Sequence, residues 1–267
     1  MLILLPPSEG KSPGGQGRPL DLDRLSHPAL TPTRRRLVEV LTHAALHDPE
    51  ALRAALACPA PAVEQDARLL SSGARPALER YTGVLYEALS YATLSTSGVR
   101  RANRSLRVAS ALFGLLAPQD RIPAYRLSGG TSLPGSGPLA PLWRPVLEPE
   151  LRAVSGLVVD LRSGPYAHLA RVPGAVRVRV LRESNGSRSV VSHDNKYTKG
   201  LLARVLCERG AADAVDVAEA GRAVADEVEV AGLQVDLVLH GLATARPRAG
   251  QDTSTPAIRP HAPPRRC

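Results

Sequence analysis

Residues 2–5, Leu-Ile-Leu-Leu, form an unbroken apolar run that Pro6-Pro7 closes. Side chains alternate across a strand, so an uninterrupted apolar run must be covered on both faces. Such a strand belongs inside a sheet flanked by other layers, and proline, lacking an amide donor, ends it. The loop that follows, Ser8-Glu9-Gly10-Lys11, is thereby attached to the carboxyl end of a core strand, where α/β proteins place their ligands.

The rest of the chain alternates in kind. Helical periodicity runs over 33–46, where Leu37, Val40, Leu41 and Ala44 share a face, over about 61–70, and over 76–90. A further helix is expected over about 104–116, stopping before Pro118, and another over 142–153 after the Gly/Ser/Pro-rich stretch 128–141. Strands are expected at 157–161, 176–182 and 188–192, the last two joined by an Asn185-Gly186 turn. Helices over 196–208 and 213–224 precede a final strand pattern in 228–240. The fold class is mixed α/β (α+β), a single domain over 1–245 with a central mixed sheet and surrounding helices. The Pro/Arg-rich tail 246–267 has no apolar periodicity and is expected to be disordered.

A length of 267 residues is ample for one core, and with 3% aromatics that core must be built mainly of Leu, Val and Ala. Cys58, Cys207 and Cys267 are odd in number, far apart and outside any metal-ligand spacing, so neither a disulfide framework nor a zinc site is indicated, and no metal or cofactor is expected. The apolar start is too short for a signal peptide or membrane span. These features point to a cytoplasmic protein with no membrane partner. A net charge of +9 favours a polyanionic partner such as DNA.

Of 34 basic residues only three are lysine: Lys11, Lys196 and Lys199. Arginine is a planar, permanently charged fork, whereas lysine is a compact ammonium whose pKa burial lowers. In an Arg-rich chain, retained lysines mark places where that difference counts. Lys11 lies beside Glu9 on the strand-end loop. Lys196, Lys199 and Arg204 are expected at the start of a helix, where cations oppose the dipole and an anion is welcome. His193 and Asp194 precede them, and Asp194 or Asn195 is placed to cap that helix. In Ser-Ala-Leu-Phe-Gly-Leu-Leu, Gly114 marks either an apolar turn that would present amides to a phosphate, with Asp120, Arg121, Tyr125 and Arg126 following, or a close-packing position between core residues Phe113 and Leu115. Asp160, Arg162, Ser163 and Tyr166 end a second strand. If that strand neighbours 2–5, they share a rim with Lys11.

Taken in order, the segments Met-Leu-Ile-Leu-x-Pro-Pro-Ser-Glu-Gly-Lys, Tyr81–Tyr86, Phe113–Leu127, Leu142–Leu147, Val159–Tyr166 and Lys196–Arg204 resemble the YaaA family of bacterial peroxide-stress proteins, up to about residue 243. The resemblance implies a single-domain fold peculiar to that family, a helix-hairpin-helix-like DNA-binding element, a positively charged cleft, and a role in limiting oxidative DNA damage and intracellular iron. Many members begin Ser-Pro-Ala-Lys-Thr, so Glu9 here takes the usual lysine position and Lys11 lies two residues on. The family's Lys-x-x-Arg-Gly reads Lys196 to Gly200 here, with Lys199 in place of arginine.

Two function classes follow. The first is a DNA-binding protein of the oxidative-stress response that holds duplex or distorted DNA through Lys11, Arg121, Arg126, Lys196, Lys199, Arg204 and the amides near Gly114. The second is an enzyme acting on a nucleotide-like small molecule or a nucleobase, with Lys11, Glu9, Asp160 and Tyr166 as its catalytic candidates. Convergence of the three lysines on one deep pocket would favour catalysis; an open basic groove would favour binding.

Overall fold

The computed structural model describes residues 1–15, 17–184, 187–189, 192–227 and 233–239. The tail 246–267 and the Asn185-Gly186 turn lie outside these residues. Strand β1 (Leu2–Leu5) is buried along its whole length. Helix α1 (Thr31–His47) turns Leu37, Leu41 and Ala44 inward, as its periodicity predicts, but the fourth buried position on that face is Val38, and Val40 is only half-buried. Helix α2 (Pro49–Leu56), which the sequence did not single out, starts with the Asp48 carboxylate accepting from the Ala51 amide at 3.3 Å and Pro49 at its first position. Helix α3 (Ala60–Ala67) follows and buries both Val63 and Asp66.

The single helix expected over 76–90 is divided. Strand β2 (Arg75–Pro76) and helix α4 (Ala77–Arg80) are separated from helix α5 (Val84–Leu89) because the backbone between them pairs with the loop after β1. Lys11 bridges Tyr81, and the Thr82 amide donates to the Gly10 carbonyl at 3.3 Å. A continuous helix would have used those groups internally.

The expectation of a helix over 104–116 is corrected. Helix α6 (Thr96–Ser105) ends where strand β3 (Leu106–Ser110) begins, and β3 turns through Ala111–Phe113 into strand β4 (Gly114–Leu116). The alternative paired state wins because β3 lies parallel to β1, Ile3 opposite Leu106, and fills a place inside the sheet. A short, nearly all-apolar segment carries no periodicity that separates helix from strand. Strand β5 (Arg121–Ile122) pairs with β2. Strands β6 (Ser132–Leu133) and β7 (Gly137–Pro138) form a small hairpin in the Gly/Ser/Pro stretch.

Helix α7 (Ala140–Arg152) leads to strand β8 (Val158–Asp160), helix α8 (Gly164–Leu169) and the hairpin of strands β9 (Val176–Ser184) and β10 (Ser187–Ser189). Helix α9 spans Ser192–Arg209, four residues earlier than expected, so Lys196 and Lys199 occupy its second and third turns rather than its start. Asp194 and Asn195 are likewise helical, not caps. Helix α10 (Ala214–Glu227) and strand β11 (Leu233–Leu239) complete the order. The seven-stranded sheet runs β10-β9-β8-β1-β3-β4, with β11 also on β9. Pairs β1–β3, β1–β8 and β8–β9 are parallel; β3–β4, β9–β10 and β9–β11 are antiparallel. The sheet is mixed, and its parallel centre sends the loops after β1 and β8 to one rim.

Candidate functional site

Adjacency of β1 and β8, with Leu4 opposite Asp160, makes Pro6–Gly10 and Leu161–Tyr166 two walls of one cleft of about 700 Å³. Helix α9 contributes Asn195, Lys196 and Lys199, the segment Thr82–Tyr86 a further wall, and β9 supplies Arg177. Gly200 sets the approach of α9: a Cβ there would stand 2.3 Å from the Leu85 carbonyl oxygen of α5. Only glycine lets the two helices lie close enough to bring Lys196 and Lys199 over the rim.

Asp160 and Arg162 form the floor of this cleft. The guanidinium grips the carboxylate with two bonds of 2.8 Å, Nε to Oδ1 and Nη2 to Oδ2, and both side chains are almost wholly buried. The Arg162 amide also donates to Asp160 Oδ1 at 3.1 Å. A carboxylate so engaged is a fixture of the floor, not a free base. Lys199, itself buried, is pushed below the usual lysine value by that burial, while the Asp160 charge works in the opposite direction. Tyr166 lines the cleft, and burial raises its phenol against hydrogen bonds from the Gly129 backbone and Ser128 side chain.

Lys11 stands elsewhere. It lines a separate cavity of about 360 Å³ together with Glu9, Cys58, Gln65, Tyr125 and Arg126. Glu9 belongs to both cavities, so the three lysines flank one loop without meeting in one pocket. The Lys11 ammonium donates to the Ser8 carbonyl at 2.9 Å and the Glu9 carbonyl at 3.2 Å, and lies 4.3 Å from the centre of the Tyr125 ring. Burial, aided by the Arg126 charge, lowers its pKa to about 7. Arg126 holds Glu9 Oε2 through Nη1 at 3.1 Å, while its amide donates to Asp66 Oδ1 at 2.8 Å.

The remaining residues singled out for DNA contact have structural partners. Gly114 adopts φ +70°, and a Cβ there would come within 2.7 Å of the Trp143 ring, so it is a buried packing glycine. The turn before it is a β-hairpin whose Leu112 and Phe113 amides donate to Ser110 Oγ at 3.2 and 3.0 Å, not to solvent. This differs from the helix-hairpin-helix-like geometry that was expected, because the preceding segment belongs to the sheet. Arg204 donates through Nη1 to the Leu89 and Ser90 carbonyls, both at 3.1 Å, closing the end of α5. Arg121 donates to the Ala74 carbonyl at 3.0 Å, away from the cleft.

Three site residues escaped sequence reading: Arg177, Asn195 as a lining group, and Asp66. Nothing in a strand pattern distinguishes Arg177. Asp66, however, lies three residues after Val63 and therefore on the inward face of α3, a carboxylate where an apolar residue belongs. Among the described residues no group of three His, Cys, Asp or Glu side chains is placed to hold a metal ion, and no helix is long and apolar enough to cross a membrane. Cys58 and Cys207 are free and buried.

A family model described as peroxide stress protein YaaA matches residues 1–223. A UPF0246 protein of Corynebacterium efficiens is 44% identical over 239 residues, covering 86% of this chain and 95% of that protein. A UPF0246 protein of Streptomyces coelicolor is 45% identical over 242 residues, covering 86% of this chain and 92% of the other. With the match spanning both walls of the cleft and both lysine motifs, the chain belongs to the YaaA family of peroxide stress proteins.

Proposed function

We propose that this protein serves the oxidative-stress response as a cytosolic DNA-binding protein, holding distorted DNA by an unpaired nucleotide in the strand-end cleft and so limiting iron-dependent damage. The observation that carries this reading is the charge balance of the cleft. Its two described carboxylates, Asp160 and Glu9, are each gripped by an arginine, whereas Lys196, Lys199 and Arg177 add positive charge. A cavity of about 700 Å³ is the size of a small-molecule site and too small for a duplex, so the group that enters is a single displaced nucleotide. Phosphate contact from the two α9 lysines would supply the affinity. A second reading, an enzyme acting on a nucleotide-like molecule, draws on Lys11, which lines the neighbouring cavity and not this cleft.

The test is a set of DNA titrations over several salt concentrations, comparing plain duplex with duplex carrying an unpaired bubble. Lys196→Gln with Lys199→Gln should lower the slope of log K against log[salt] by about 0.7 to 0.9 for each phosphate that is no longer neutralised. The exposed pair Arg36→Glu with Arg100→Glu is the control and should leave it nearly unchanged. An unchanged slope in the lysine variant, with its melting temperature intact, would remove α9 from the interface.

A further inference from the structure

The smaller cavity holds chemistry that phosphate binding does not use. Lys11 Nζ is fixed by two carbonyl oxygens and an aromatic face, yet it lines open space. Nearby, Asp66 is 0% exposed; its Oδ1 accepts from the Arg126 amide, and its Oδ2 has no hydrogen-bond partner among the described residues. A buried carboxylate with an empty oxygen favours its protonated form. Burial accordingly raises Asp66 to about 7 while lowering Lys11 to about 7, and each charge is felt by the other. Asp66 is held behind the Arg126 backbone and makes no direct ion pair with Lys11, so near neutral pH a partly deprotonated amine and a partly protonated carboxyl are available within one electrostatic neighbourhood. Arg126 lines the same cavity with its guanidinium paired to the exposed Glu9 carboxylate, a partner that an incoming phosphate would have to displace.

We infer that the Lys11 cavity forms an imine with an aldehyde bearing a phosphate group, Lys11 acting as nucleophile, Asp66 as proton carrier and Arg126 as anion anchor. The Nζ lone pair attacks the carbonyl carbon and the C=O π electrons move to oxygen. A proton passes from nitrogen to that oxygen, giving a carbinolamine. Asp66 then protonates the hydroxyl, the C–O bond breaks, water leaves, and the nitrogen lone pair closes the C=N bond. The resulting iminium lies beside the Asp66 carboxylate, so charge stays balanced and no oxidant or reductant is consumed. The aldehyde phosphate has two sources: a free sugar phosphate, or the ring-opened sugar of an abasic site in DNA, whose aldehyde is flanked by phosphates. None of this chemistry draws on the α9 cleft.

The experiment incubates the full chain with glyceraldehyde 3-phosphate in one arm and an abasic oligonucleotide in the other, each with cyanoborohydride, which reduces the iminium to a stable amine. Peptide mass spectrometry then assigns the adduct among three lysines and the amino terminus. Lys11 should be modified at least tenfold faster than Lys196 or Lys199, with a rate that peaks near pH 7, where the amine has begun to lose its proton and Asp66 still carries one. Lys11→Arg should abolish that adduct, and Asp66→Asn should slow its formation without moving it. Lys196→Gln with Lys199→Gln should leave labelling by the free aldehyde intact even if it abolishes DNA binding, which separates this site from the cleft. Trapping of only one probe identifies the source. Labelling spread over the lysines according to their exposure, labelling retained in a folded Lys11→Arg variant, or no adduct from either probe would overturn the inference.

Discussion

Lys199 and Lys11 are both drawn out of water on either side of the loop after β1, and burial pushes both below the ordinary lysine value. Their neighbours differ. The charge that acts on Lys199 is Asp160, which favours the ammonium; the strongest charge acting on Lys11 is Arg126, which opposes it. One environment favours the charged ammonium, and the other favours the neutral amine. The same residue type is thus given two electrostatic settings by the sign of the charge that acts on it most strongly.

The contrast between the two cavities breaks most visibly at the Asp160–Arg162 floor. Asp160→Ala leaves a buried guanidinium unpaired and should cost about 3 to 5 kcal/mol in urea denaturation, because both side chains are almost fully buried. A near-zero cost would mean that Asp160 is a free group available for catalysis. Gly114→Ala comes next. The positive φ and the Trp143 ring together predict a loss of about 1 to 3 kcal/mol, with the salt slope of DNA binding unchanged in the folded fraction. A selective loss of DNA affinity without loss of stability would return that turn to the interface.

The small cavity is sharpened by pH. Asp66 has a folded pKa above its unfolded value, so its contribution is greatest below about pH 4 and is lost as pH rises toward 7. Asp66→Asn keeps an acceptor for the Arg126 amide and removes that titration. Its stability relative to the natural chain should therefore climb between about pH 4 and pH 7 and then level off. A flat difference would show that the carboxyl is not held protonated. Lys11 works in the opposite direction: its folded pKa is depressed, so stability falls as pH drops from about 10.5 toward 7, and Lys11→Met should remove that slope. The smallest effect belongs to Arg36→Glu with Arg100→Glu, both exposed, which should stay within about 0.5 kcal/mol and bind DNA nearly as before.

Much of this arrangement is legible in the chain itself. The apolar run 2–5 announces an internal strand, Asp160 to Tyr166 announce a second strand end, and the scarcity of lysine points to both cavities. Periodicity places α1, α7 and α10 within a few residues. Each of these is a local property, written in the spacing of side chains along one element. Partnership is not local. Whether 104–116 forms a helix or a hairpin depends on β1 offering an edge to pair with, and whether 76–90 stays whole depends on the Lys11 loop claiming the backbone at Tyr81 and Thr82. The charge of Arg204 gives no sign that it closes α5, nor that of Arg162 that it neutralises Asp160. Sequence thus determined which scarce and charged residues stand at the strand ends. Only the tertiary structure decided which charges cancel, and that lysines 11 and 199 would face different cavities, because electrostatic character is a property of neighbours in space.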